Sequence, residues 1–141
     1  MKRSTLVDGR GVPLAVAIAG ANVPDSKLVA ETLEAVGIER PEPTSSQPQH
    51  LCLDKGYAGR RVDNEVRQRG YTPHVPRKAN EPTKPKHKRG TARRWKVEGT
   101  HSWLNRARRL LIRWEKKATN YIAFLHLRCA IVTLQAIKVL G

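Results

Sequence analysis

Apolar residues fall in short runs whose period changes along the chain, and those changes predict the elements. Thr5 to Asp8, the stretch Gly9-Arg10-Gly11, and Val12 to Ala19 read as two strands joined by a glycine turn, a β-hairpin with Asp8-Gly9 at its tip. Beyond its start the second strand is apolar at every position, as in a strand covered on both faces, and Pro13 limits it near the turn. Asp25 predicts an N-cap for a helix with Leu28, Val29, Leu33 and Val36 on one face, closed by Gly37. Residues 38–49, rich in Pro and Ser, predict a surface linker.

His50-Leu-Cys-Leu-Asp54 is a short apolar run that ends in an aspartate, the pattern that aims a carboxylate out of the edge of an α/β sheet. Residues 60–69 read as a helix with Val62 and Val66 one turn apart and Gly70 as its stop, and Tyr71 to Val75 as one more short strand. Residues 76–92 lack any apolar period and predict a mobile basic loop. From Arg93 to Lys117 the helical period returns, with Trp103, Ala107, Leu110 and Trp114 on one side and Leu104 and Leu111 beside them. A last helix over 121–139 is apolar nearly all round. His126, Arg128, Gln135 and Lys138 interrupt it, so a buried core helix is expected rather than a membrane span.

Charge changes this picture more than composition does. The 141 residues carry a net charge of +15, with 27 Lys and Arg against 12 Asp and Glu. Residues 1–76 hold ten basic and nine acidic side chains, while residues 77–117 hold fifteen basic ones against Glu81, Glu98 and Glu115. That local surplus of +12 points to a polyanion, and nucleic acid is the natural partner. Cys52 and Cys129 lie far apart in apolar contexts, which makes neither a disulfide framework nor a CxxC-type zinc site. No apolar segment of the secretory type follows Met1-Lys2-Arg3, and a reducing, cytoplasmic setting is the expectation.

Two carboxylates stand out against the cations. Steps of three and four from Glu98 reach Arg94, His101, Ser102, Asn105 and Arg109, so a single acid sits in one polar stripe of the long helix. Alone it reads equally as an i,i+4 salt bridge, as Asp54 alone reads as a turn or cap residue. Together, a sheet-edge Asp and a helix-borne Glu on a basic surface suit divalent metal and phosphodiester chemistry, because Mg²⁺ takes a few carboxylates plus water and phosphate oxygens.

Four separated motifs, Leu6 to Leu14, Gly20 to Lys27, Leu53-Asp-Lys-Gly-Tyr57 and Arg94 to Arg106, resemble in this order the C-terminal half of bacterial insertion-sequence transposases of the DDE type. The insertion-sequence-five group is the nearest in look. The stretches Arg109 to Lys117 and Asn120 to Leu127 continue the match, which covers essentially residues 1–141. The resemblance implies an α/β, RNase H-like catalytic domain: a mixed sheet with flanking helices, here lacking its first strand and the first catalytic Asp that strand carries. It implies Asp54 and Glu98 as catalytic, metal-binding carboxylates for Mg²⁺ or Mn²⁺. It further implies that Arg94, Lys96, Asn105, Arg106, Arg108, Arg109, Lys86, Lys88 and Arg89 hold DNA, both transposon ends and target.

In the family's Tyr, Arg, Glu, Lys signature, Arg94 fills the Arg place. Thr91 stands at the Tyr position, Asn105 at the Lys position, and Gly99 where an Arg is common. Asp8 belongs to the hairpin tip and reads as a turn residue, not as the first acid. The expected function is metal-dependent DNA cleavage and strand transfer in transposition, incomplete without the upstream Asp. The expected protein partner is the upstream-frame product or a second copy of the chain in a homo-oligomer. Without the strand, two apolar edges lie exposed or pair directly, and poor solubility is expected. The alternative is a non-catalytic basic DNA-binding remnant or accessory module.

Overall fold

The computed structural model describes residues 1–76 and 94–140; the basic stretch expected as a loop lies, apart from Pro76, outside them. Strand β1 (Lys2–Val7) pairs antiparallel with β2 (Pro13–Ala19), from Lys2 opposite Ala19 to Leu6 opposite Ala15, with an irregularity before Val7 meets Pro13. Asp8 builds the connecting turn, its Oδ1 accepting from the backbone N–H of Arg10 at 2.8 Å and of Val12 at 2.9 Å. It is a turn residue, as its place in the hairpin predicts. Gly11 has φ +89°, and a Cβ there would lie 3.3 Å from the Lys96 carbonyl oxygen, so glycine serves both the turn and the close approach of a helix.

Helix α1 (Asp25–Glu34) follows. Pro24, extended, takes the cap position, and Asp25 opens the helix with its carboxylate 3.1 Å from Lys2 Nζ. The helix ends ahead of Val36 and Gly37, with the Ala35 N–H bonded to Glu31 O at 3.0 Å. After the linker, β3 (Gln49–Cys52), a 3-10 turn (Lys55–Tyr57), α2 (Arg60–Gln68) and β4 (Tyr71–His74) form a strand, helix, strand unit. In it β3 and β4 pair in parallel, Gln49 with Tyr71 through Cys52 with His74. Gly70 has φ +80°, which lets the chain leave α2 directly into β4.

Among the described residues, the expected single mixed sheet is instead two two-stranded sheets, β1-β2 and β3-β4. Among the described residues, β1 and β3 each have one ladder partner, leaving an unpaired edge on both strands.

The long helix expected over 93–117 is also divided. Helix α3 (Arg94–Asn105) stops where Ala107 turns extended (φ −80°, ψ 107°), and α4 (Arg108–Leu111) makes one further turn before an irregular segment reaches α5 (Ala118–Leu140). The break lets Leu104 and Leu110 both enter the core and removes the single apolar face: Trp103 is 38% exposed, Leu111 60% and Trp114 73%. Charge spacing is altered with it, since Arg109 no longer lies on the stripe of Glu98.

Two cores result. The first joins Val16 of β2 with Leu104, Leu110, Tyr121 and Leu125; the second joins Val29 and Leu33 of α1 with Leu51, Val62 and Val66. Alternation on β1 links them. Leu6 packs into the second core and Ser4 bonds Thr32 of α1 at 2.7 Å, while Arg3 points to α3, where its Nη2 donates to Asn105 Oδ1 at 2.8 Å.

Helix α5 is not the buried core helix its composition suggests. Tyr121, Leu125 and Val132 are buried, but Leu127, Ile131, Leu134 and Ile137 face outward, because among the described residues the hairpin, α3 and α4 cover one side of it only. The segment Ala118–Lys138 is long and apolar enough to cross a membrane by length and composition.

Candidate active site

Asp54 follows β3 immediately. Its backbone is extended, and its Oδ1 accepts from the Lys55 N–H at 2.6 Å, capping the 55–57 turn. Ser4 on β1 fastens that turn, bonding the Tyr57 hydroxyl as well as Thr32. Burial, with Asp25 and Asp54 nearby, pushes the Tyr57 phenol above its usual range, the Ser4 bond opposing. Asp54 is thus an exposed carboxylate on a turn anchored to the second core, with the capping role that residue type alone suggests.

Glu98 is exposed on the second turn of α3, and α3 is fixed to the first core. Thr100, fully buried, donates to Gly11 O at 2.5 Å with Lys96 O at 3.1 Å, so the hairpin turn is pinned one helical step from Glu98. At the other end of the helix, Asn105 accepts from Arg3. Burial and the Arg3 guanidinium lower the pKa of His101 between them, favouring a neutral ring.

The two carboxylates therefore belong to different cores, with β1 packed against both. Among the described residues, no three His, Cys, Asp or Glu side chains converge to hold a metal ion. Asp54 and Glu98 are carboxylates, the kind of ligand that Mg²⁺ takes together with water and phosphate oxygens.

The expected DNA-binding residues divide as follows. Arg106 and Arg108 are exposed around the α3-α4 break. Arg109 is exposed but placed 3.6 Å from Glu115 and over the Phe124 ring at 5.0 Å. Lys96 is half-buried, and the Asn105 carbonyl is spent on Arg3. Arg94 opens α3, and Lys86, Lys88 and Arg89 lie outside the described residues.

Sequence reasoning missed Arg3. Its Nη1 and the Thr5 Oγ1, alternate positions on β1, are buried with no hydrogen-bond partner among the described residues. The available signal was a strand in which an Arg and a Thr occupy the same face as Val16 and Ile18 of its partner.

The described residues make an α/β scaffold with a parallel pair, an antiparallel hairpin and a helix carrying one exposed acid. The chain belongs to the family described as Transposase DDE domain, whose profile matches residues 1–133. A putative transposase for insertion sequence element IS402 from Burkholderia cepacia is 33% identical over 142 residues, covering 97% of this chain and 64% of that protein. The chain thus spans 64% of the relative's length. No solved structure matches it.

Proposed function

We propose that the chain is the greater part of an RNase H-like catalytic domain that cleaves DNA and transfers strands in transposition, with Asp54 and Glu98 as two of its three acids. The carrying observation is the divided sheet. An antiparallel pair and a parallel pair share α1 beneath them, and β1 and β3 each keep an unpaired edge among the described residues. One further strand between those edges would join the two pairs into a single mixed sheet. An acid on that strand would lie between the core bearing Glu98 and the core bearing Asp54. Arg3 Nη1 and Thr5 Oγ1 on β1, buried with no partner among the described residues, support the reading, since buried polar groups nearly always find partners in a complete domain.

Asp54 and Glu98 would hold Mg²⁺ or Mn²⁺, which supplies Lewis acidity at the attacking and leaving oxygens of the phosphodiester. Arg106 and Arg108 bind the DNA backbone beside Glu98, and the Thr100 and Arg3 contacts keep α3 in register with the hairpin. The product of an upstream frame supplies the missing strand, a homo-oligomer is the other expected assembly, and the reaction takes place in the cytoplasm.

The test expresses the chain alone and joined to the upstream frame of its element, and assays Mg²⁺- or Mn²⁺-dependent nicking of the element's terminal DNA. The joined protein is expected to cleave, with Asp54→Ala and Glu98→Ala each abolishing cleavage while DNA binding persists. Full cleavage by either variant would sink the site assignment. Binding without cleavage by the joined protein would instead favour a non-catalytic DNA-binding module. In either case, removing Arg106 or Arg108 should reduce the slope of log affinity against log salt by about 0.9 for each lost phosphate contact.

A further inference from the structure

Between α4 and α5 the chain sets an indole into solvent. Trp114 is 73% exposed, more than any other large apolar side chain among the described residues, and Leu111 and Ile112 in the same segment are 60% and 56% exposed. Trp normally buries most of its surface, so its exposure here calls for an explanation. The backbone that carries it is held. Arg113 donates from Nε to Glu115 O at 3.1 Å and from Nη2 to Lys116 O at 3.3 Å, closing the turn around residue 114. Arg109 lies 3.6 Å from Glu115, and the Tyr121 hydroxyl donates to Leu110 O at 3.3 Å, so the turn is tied to α4 and α4 to α5.

Charge indicates what an indole so placed meets. Residues 106–117 hold six basic side chains, all exposed, against the single acid Glu115, which Arg109 pairs. Interfaces between proteins keep charge, Lys above all, out of their apolar centres. Single-stranded nucleic acid instead alternates phosphates with base faces, and cations interleaved with an aromatic ring match that alternation. We propose that Trp114 is a stacking platform for an unpaired DNA base, with the basic residues around it in the chain holding the neighbouring phosphates. The inference rests on the proposed function only in taking DNA as the partner, and it is independent of the roles given to Asp54 and Glu98.

Duplex DNA offers its phosphates freely but covers its base faces by stacking them on one another. The cations of the segment therefore serve duplex and single strand alike, whereas the indole serves only a strand with unpaired bases. The clasped turn favours such contact, because an indole has only two side-chain torsions to fix and the backbone beneath it is already ordered when the base arrives.

Titration of the full chain with a single-stranded oligonucleotide and with a relaxed circular duplex, which has no ends, at several salt concentrations tests the platform. Trp114→Leu keeps an apolar side chain but removes the ring. It should weaken single-strand binding by about 5- to 150-fold, the range for loss of one base–aromatic stack. Duplex affinity should change by less than about twofold, and the salt slope of both should stay as it is, since no phosphate contact is lost. Trp114→Phe, which retains a ring, should keep most of the single-strand binding. In the unaltered chain, a single strand carrying 5-iodouracil should cross-link at Trp114 on irradiation, a readout that needs no variant to fold. Equal loss on both probes in Trp114→Leu, loss on neither, or cross-linking centred on another residue would overturn the proposal and leave DNA as the partner. Binding of neither probe by the unaltered chain would remove both.

Discussion

The β1-β2 hairpin is covered on both faces, by α1 on one and by α3 and α5 on the other, whereas among the described residues β3-β4 is covered only by α1 and α2. The difference is written into the strands. In β2, Ala15, Val16 and Ala17 are consecutive and all buried, while in β3 the buried Leu51 is flanked by exposed His50 and Cys52. A strand sandwiched between layers has no polar face to spare, and a strand with one bare face alternates. The polar residues also serve different ends. Thr100 and Arg3, within the doubly covered region, hold elements together, whereas the exposed His50 and His74 contact each other.

That contrast is open to attack by substitution, beginning where burial is deepest. Leu104→Ala removes a side chain with 0% exposure at the centre of the first core and should cost about 2–5 kcal/mol, read as a fall in the midpoint of chemical denaturation. A loss below about 1 kcal/mol would mean that the first core is not closed as described. Thr100→Val keeps the shape but leaves Gly11 O without its donor. It should cost about 1–3 kcal/mol and raise hydrogen exchange at the 8–12 turn before the rest of the chain.

His101 sharpens the comparison through pH. Its folded pKa lies below the unfolded value of about 6.5, so the unfolded state binds more protons in the window between the two. Stability should therefore be flat above about pH 7 and decline as pH falls through 6.5 toward the folded pKa. His101→Gln should flatten that decline. Burial and His50 lower His74 in the same direction, but its greater exposure makes its share the smaller, so His74→Gln should alter the slope less than His101→Gln. An equal effect would contradict the difference in covering.

The smallest effect belongs to the surface of the second core. Arg69 reaches Glu34 of α1 at 2.6 Å and Glu65 of α2 at 2.7 Å, tying the two helices. Arg69→Ala should cost at most about 1 kcal/mol, with the difference shrinking as salt is added.

Much of this architecture was legible along the chain because it rests on local rules. The Asp8 turn, the one-turn spacing of Val62 and Val66, and Gly70 as the stop of α2 all appear where the pattern places them. The long helix over 93–117 did not survive, because periodicity registers apolar spacing but not a single extended residue. Ala107 has no helix-breaking chemistry, and its conformation follows from burying Leu104 and Leu110 against Tyr121 and Leu125 together. The composition of α5 likewise suggested burial, but how much of a helix is buried depends on how many neighbours reach it.

The candidate site was legible in its residue types and not in its arrangement. Asp54 and Glu98 could be selected as the acids of a motif, yet only packing could assign them to separate cores with β1 between. Arg3 escaped notice because an arginine in a strand carries no local signal until a helix more than a hundred positions away presents Asn105 to it.

By itself, then, the sequence determined the strands, the turns, the charge concentrated on one stretch and the membership of a transposase family, since period, turn chemistry and motif spacing are properties of neighbouring residues. Tertiary structure alone decided that the strands make two sheets instead of one, that one helix becomes two, and that His50, Cys52 and His74 share a face. Those outcomes depend on which surfaces of distant segments are available to cover one another, and a residue's neighbours in sequence do not specify that.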